Sequence, residues 1–230
     1  MYQHLFAIVE RLPAFWRTPA SSLGAVAARP VDELTLLASP CEGVPEANAR
    51  TLASHHDVVS STLDAAAVLP FRFGTVVPAT ELPDWLEAHR TRIRTTLTEL
   101  RGQVEMSVKL LRLHCGHGAD RACPECAGGA PGAAELGDLA ERLVERAGVA
   151  RWRFSSSAHG DNIAGSVAFL VPRQEVHAFL ARIAPVASHA AGIAVVPTGP
   201  WPAYSFAGNF DRLPLARVPA APPSGERRLG

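Results

Sequence analysis

Apolar and polar residues alternate most cleanly over 103–113, where Val104, Met106, Val108 and Leu110 interleave with Gln103, Glu105, Ser107 and Lys109. Such a period of two predicts a half-buried strand. Just upstream, Leu86, His89, Ile93, Leu97 and Leu100 recur at helical spacing. Pro83, Asp84 and Glu87 resemble a helix start with a capping box, and Gly102 a stop. Arg90, Arg92, Arg94 and Arg101 would form that helix's wet side. Downstream, Leu136, Leu139, Leu143 and Val144 predict a helix over 134–147, capped by Gly148. Strands over 149–155 and 163–171 follow, joined by a polar turn. A helix after Pro172 carries Val176, Phe179, Leu180 and Ile183, and Pro185 should kink or end it. A last strand starts near Ile193. From 103 onward the order is therefore βαββαβ, a ferredoxin-like antiparallel sheet with both helices on one face.

The first half has mixed α and β content in a less regular order. Tyr2 to Val9 is read as alternating, which predicts a first strand over 2–9; a second is predicted over 31–38, with a loop between them over 12–30. Leu52, Val59, Leu63 and Ala66 place a helix within 45–67. Then comes an apolar run from Leu69 to Pro78, read as one strand, with Phe71 and Phe73 on one face, Arg72 on the other, and Gly74 as a bulge or close approach. The fold class is α+β, in two small domains, 1–101 and 102–214. The second holds a Cys/His-rich loop over 115–132. A Pro-rich tail over 215–230 is expected to be disordered or packed on the body.

Composition narrows the function classes. With 22 basic and 22 acidic residues the formal charge is zero, which gives no reason to invoke nucleic acid or an anionic membrane. Lys109 is the only lysine. No run is long and apolar enough for a spanning helix, and the uncharged tract 183–210 is broken by Pro185, Pro197, Pro200 and Pro202. No signal peptide is read at the N-terminus. Four cysteines in such a chain suggest a reducing, cytoplasmic setting.

Candidate chemistry is sparse. Cys115, His117, Cys123 and Cys126 form a Cys₃His set suited to tetrahedral, structural zinc, with His114 as a substitute for His117. An incidental loop or a redox dithiol fits the same residues. Ser155, Ser156 and Ser157 before His159 and Asp161 contain the residue types of a hydrolase triad, but they crowd into a hairpin turn with no oxyanion hole. Cys41 has no visible activating partner. His55 and His56 are adjacent on a helix, so they cannot face one site, and a buried or half-buried structural role is expected.

Two separated aromatic segments carry the most information. Leu69, Pro70, Phe71, Arg72, Phe73, Gly74 and Thr75 form the first; Gly199, Pro200, Trp201, Pro202, Ala203, Tyr204, Ser205 and Phe206 form the second. Together with His55, His56 and Val58 before the first, and 104–109 after it, they resemble the signature segments of the gas vesicle protein L/F family. The resemblance implies two α+β domains, the second a modified ferredoxin-like one. It implies a non-enzymatic accessory or minor structural protein of gas vesicles, taking part in nucleation and assembly in the cytoplasm. Its partners would be the apolar shell protein and other accessory proteins. Trp201, Tyr204 and Phe206, in the tract 183–210, would offer an apolar contact surface, although ordinary core is the alternative for that tract. Arg72 is expected in a buried pair or at a domain interface. Ala203 stands where the family often has a second proline, and the Cys/His loop is not a general family feature. The reading from another class is a zinc-stabilised ferredoxin-like regulatory or ligand-binding module.

Overall fold

A computed structural model describes residues 1–113, 133–156, 163–187, 193–208 and 210. The Cys/His loop, with Cys115, His117, Cys123 and Cys126, lies outside the described residues. So do Ser157, His159, Asp161 and the tail 215–230. The chain forms two compact units: Met1–Arg101 together with the stretch from Pro202 onward, and Gly102–Trp201. The boundary falls beside Gly102, whose φ of +68° suits glycine where helix gives way to strand. Residues 202–214 had been expected in the second domain. Instead, the described residues from Pro202 onward group with the first unit.

The first unit is a sheet covered on both faces. Strand β1, Tyr2–Glu10, is central and pairs antiparallel with β3, Leu34–Cys41, on one side. On its other side lie β4, Ala67–Pro70, and β5, Val76–Pro78. Strand β2, Ala27–Val31, adds to the outside of β3. The expected 31–38 strand thus straddles a hairpin whose turn holds Asp32 at φ +52°, and part of the expected loop is strand. The strand stands where it is expected, but the alternation read over 2–9 does not hold: β1 is covered on both faces, and Leu5 to Val9 are all fully buried. Helix α1, Ala49–Ser60, starts at a reciprocal Asn48/Thr51 capping box and packs Val58 and Val59 against Ala7, Val9 and Leu37. Leu52, expected on its buried face, is 44% exposed; His55 is buried instead.

Helix α2, Leu82–Leu100, lies over the opposite face, beside Ile8, Leu34 and Leu36. Its N-cap is Glu81, without a side-chain cap and three residues before the expected Asp84/Glu87 box, with Pro83 in its first turn. Leu82, Trp85, Ile93, Leu97 and Leu100 are buried. Its arginines form the wet side as expected, and Arg90 and Arg94 hold the β2–β3 turn through Asp32 and Glu33 at 2.8 to 3.3 Å.

The second unit has strands β6 (Gln103–Arg112), β7 (Trp152–Ser156), β8 (Ile163–Pro172) and β9 (Ile193–Trp201) in the order β7-β8-β6-β9, all antiparallel. Helices α3, Ala133–Ala147, and α4, Val176–Ala187, share one face. There Leu136, Leu139 and Leu143 of α3 and Phe179 and Ile183 of α4 meet Met106, Val108, Val167 and Phe169 in one core. This is the expected βαββαβ arrangement. Pro185 does not end α4, which runs two residues further. A proline in the last turn removes only one backbone bond there, and Val186 still joins the core.

Candidate functional site

Two features of the first unit gather the residues singled out in the sequence. The first is the path of Leu69–Pro78. It is two short strands, not one. Pro70 pairs with Ala7 and Val76 with His4, so six steps along the segment match three along β1. The surplus forms a turn, closed where the Thr75 amide and hydroxyl both donate to Arg72 O, at 3.1 and 2.7 Å. Gly74 sits in it at φ +84°. The turn is pinned to β1 by Phe71 N–H donating to Phe6 O (2.8 Å) and Leu5 N–H donating to Thr75 O (2.9 Å). Leu69, Pro70 and Phe71 are buried, Phe73 is half-buried, and Arg72 is exposed. A buried pair for Arg72 is therefore not formed: the turn carries its side chain outward.

Around that turn stands an aromatic and imidazole cluster. His4, from β1, and His55, from α1, are fully enclosed, with Nε2 of His4 2.9 Å from Nδ1 of His55. His55 Nε2 lies 3.0 Å from Phe71 O. A carbonyl only accepts, so His55 carries its proton on Nε2 and accepts at Nδ1 from His4 Nε2–H. His4 Nδ1 is then a bare, buried acceptor without a hydrogen bond. Burial lowers both imidazoles, His4 to about 3 and His55 to about 4, and each ring's histidine neighbour adds to the effect. Both are neutral at pH 7. Phe6 and Phe73 flank the pair, and Tyr204 reaches it from the second segment, 6.4 Å from His55 and 6.5 Å from His56. A second cluster joins Phe71 to Trp85, His89 and Phe210, with the Arg92 guanidinium 4.5 Å over the Phe210 ring.

The second segment is divided between the units. Gly199, Pro200 and Trp201 end β9. Gly199 has φ +121°, and a Cβ there would stand 2.8 Å from Glu105 O. Trp201 is 36% exposed and donates to Thr198 Oγ1 at 3.2 Å. Pro202, Ala203 and Phe206 are buried, and Tyr204 is half-buried. Among its described residues the tract 183–210 is mixed: Ile183, Val186 and Ile193 belong to the second unit's core and Phe206 and Phe210 are buried residues of the first unit, while Pro197, Gly199, Pro200 and Trp201 are exposed. Sequence reasoning passed over His4, Trp85 and Phe210, and read His89 and Arg92 only as positions on a helix. A lone histidine inside the apolar run of β1 was the one signal that could have flagged the imidazole pair.

The second feature is a groove of about 360 Å³ between α2 and the β2–β3 face. Its lining is apolar at Ile8, Leu34, Leu36, Leu82, Leu86 and Ile93, and its rim carries Arg29, Asp32, Glu87, Arg90 and Arg94. An apolar trough with a charged rim is suited to holding an apolar segment of another chain. Among the described residues no group of three metal-ligating side chains occurs, and no helix is long and apolar enough to cross a membrane. Cys41 is half-buried, and burial pushes its thiol up, away from the reactive thiolate.

Comparison with known proteins gives a consistent result. The family model described as gas vesicle synthesis protein GvpL/GvpF matches residues 4–127 and 131–208. Gas vesicle protein F2 of Halobacterium salinarum is 29% identical over 166 residues, 70% of either chain. Crystal structures of GvpF from Anabaena sp. PCC7120 and from Microcystis aeruginosa share the fold at a TM-score of 0.69, with 19% and 16% identity. Each alignment covers 90% of this chain, and 96% and 99% of those chains. The chain belongs to the gas vesicle synthesis protein GvpL/GvpF family.

Proposed function

We propose that this protein takes part in gas vesicle nucleation and assembly by binding the apolar shell protein and other accessory proteins, at the vesicle or in the cytoplasm, without catalytic turnover. The observation that carries this reading is the family match along residues 4–127 and 131–208, which makes the chain a gas vesicle accessory protein. The groove between α2 and the β2–β3 face supports it. Its apolar lining fits an apolar segment of the shell protein, and its charged rim keeps the empty trough soluble. The aromatic–imidazole cluster has a structural part: it seats the turn at 71–75 against β1 and α1.

Co-expression with the shell protein and affinity capture tests this directly. Capture is expected from the native chain and is expected to fall several-fold in Leu86→Glu, with the circular dichroism unchanged. Failure of the native chain to capture the shell protein, together with normal vesicles in a deletion strain, would sink the reading. For the Cys/His loop the proposal is a structural zinc on Cys115, His117, Cys123 and Cys126; metal analysis should give about one zinc per chain, lost in Cys123→Ser.

A further inference from the structure

Five strands lie at the outside of a sheet among the described residues: β2, β4, β5, β7 and β9. Four of them carry proline, at Pro30, Pro70, Pro78, and Pro197 with Pro200. Proline on an edge removes a donor and discourages a further strand. Strand β7, which reads Trp152, Arg153, Phe154, Ser155, Ser156, has none.

Its register shows which groups it offers. Leu170 N–H donates to Arg151 O at 3.0 Å, and Arg153 and Ser155 stand opposite Ala168 and Ser166. In an antiparallel ladder alternate residues turn to the neighbour, so Arg151, Arg153 and Ser155 face β8 with their backbone. Trp152 and Phe154 turn their amides and carbonyls outward, where no described residue meets them. The same two residues hold their rings open, 44% and 39% exposed. They stand opposite Phe169 and Val167, on the helix-covered face, at an edge the helices leave open. The Phe154 ring packs close over Gly165, where a Cβ would stand 3.2 Å from Phe154 Cε2 and push the ring out by a few tenths of an ångström. The intervening residues, Arg151 and Arg153, occupy the opposite face.

We propose that β7 is a docking edge for an extended segment of a partner protein that alternates apolar and acidic residues. The segment adds as a fifth strand to the second unit's sheet. Its backbone bonds to Trp152 and Phe154, its apolar side chains pack on their rings, and its carboxylates fall on the arginine face. A second copy of this chain is the poorer occupant. Pairing β7 with β7 brings four arginines onto one face, and like charges across a ladder oppose pairing. The site lies in the second unit and does not depend on the shell-binding groove.

The test uses the full chain with a short synthetic peptide alternating valine with glutamate, and its lysine counterpart. The glutamate peptide is expected to slow hydrogen exchange at the Trp152 and Phe154 amides and to leave Arg153 and Ser155 unchanged. The lysine peptide is expected to bind roughly fivefold or more weakly, and Arg151→Glu with Arg153→Glu to reverse that preference. Phe154→Pro removes only an outward donor and the ring, so it should abolish binding with the circular dichroism intact. Should that variant unfold, Phe154→Thr must weaken binding instead. No protection at those two amides, equal binding of both peptides, or unchanged binding by the Phe154 variants overturns the proposal. So does self-association that the Phe154 variants abolish, which would assign the edge to a second copy.

Discussion

At the residue scale, the His4–His55 pair decides how the first unit responds to acid. Both imidazoles are held far below their usual 6.5, to about 3 and about 4, so the folded state keeps them neutral where the unfolded chain binds protons. Their contribution is complete above the unfolded pKa. It is lost as pH falls from 6.5 toward the folded values, at up to ~1.4 kcal/mol per pH unit for each ring. Urea midpoints between pH 7 and pH 4 should therefore fall steeply, with about two protons taken up on unfolding. In His4→Gln the amide can still donate to His55 Nδ1, and uptake should drop to about one proton. An unchanged slope in that variant would remove His4 from the account. Only half of this pair was legible beforehand. His55 reads as a structural histidine from its helix and its neighbour His56. His4 gives no local hint of its partner, which lies 51 residues away in sequence.

At the element scale, regular periods were readable and interrupted ones were not. The alternation of β6 and the stripes of α2, α3 and α4 appear in the structure close to where periodicity places them, because each buries one face. The alternation read over 2–9 finds strand β1 but misstates its faces, because both are covered. Leu69–Pro78 reads as one strand because aromatic and β-branched residues favour extended backbone on either side of the turn. What divides it is a closure through Thr75 and a positive φ at Gly74, which a glycine permits without announcing. The two motif glycines then differ in what they tolerate. Gly74→Ala meets only Val44 Cγ1 at 3.5 Å and should cost about 1 kcal/mol for the left-handed backbone. Gly199→Ala adds a Cβ 2.8 Å from the Glu105 carbonyl, a backbone atom that cannot swing away, and should cost clearly more, about 2–4 kcal/mol. Chemical denaturation of the two variants gives the ranking, and equal costs would mean that β9 shifts freely against β6.

At the scale of the whole molecule, the chain passes between its units twice, beside Gly102 and after Trp201. The second passage returns a short apolar stretch to the first unit, and that return gives the two units unequal independence. The core of Gly102–Trp201 is drawn from its own strands and helices. Met1–Arg101 relies on residues a hundred positions away: Phe210 is 4% exposed, edge-on to Phe71 at 5.8 Å, close to Trp85 and His89, and covered by Arg92. Removing a buried phenylalanine ring costs about 3–5 kcal/mol, whereas the cation–π contact is worth about 1 kcal/mol. Phe210→Ala should therefore destabilise the first unit several times more than Arg92→Ala does, read from the near-ultraviolet dichroism of Trp85 during urea unfolding. A fragment of residues 1–101 should lose cooperative unfolding and regain it when a peptide of residues 202–210 is added. The returning stretch is separated from residues 1–101 in sequence by the whole second unit, so supplying it as a separate peptide should restore the fold. If the fragment unfolds at the same urea concentration with and without the peptide, the buried rings of Phe206 and Phe210 are passengers on a unit that is already complete.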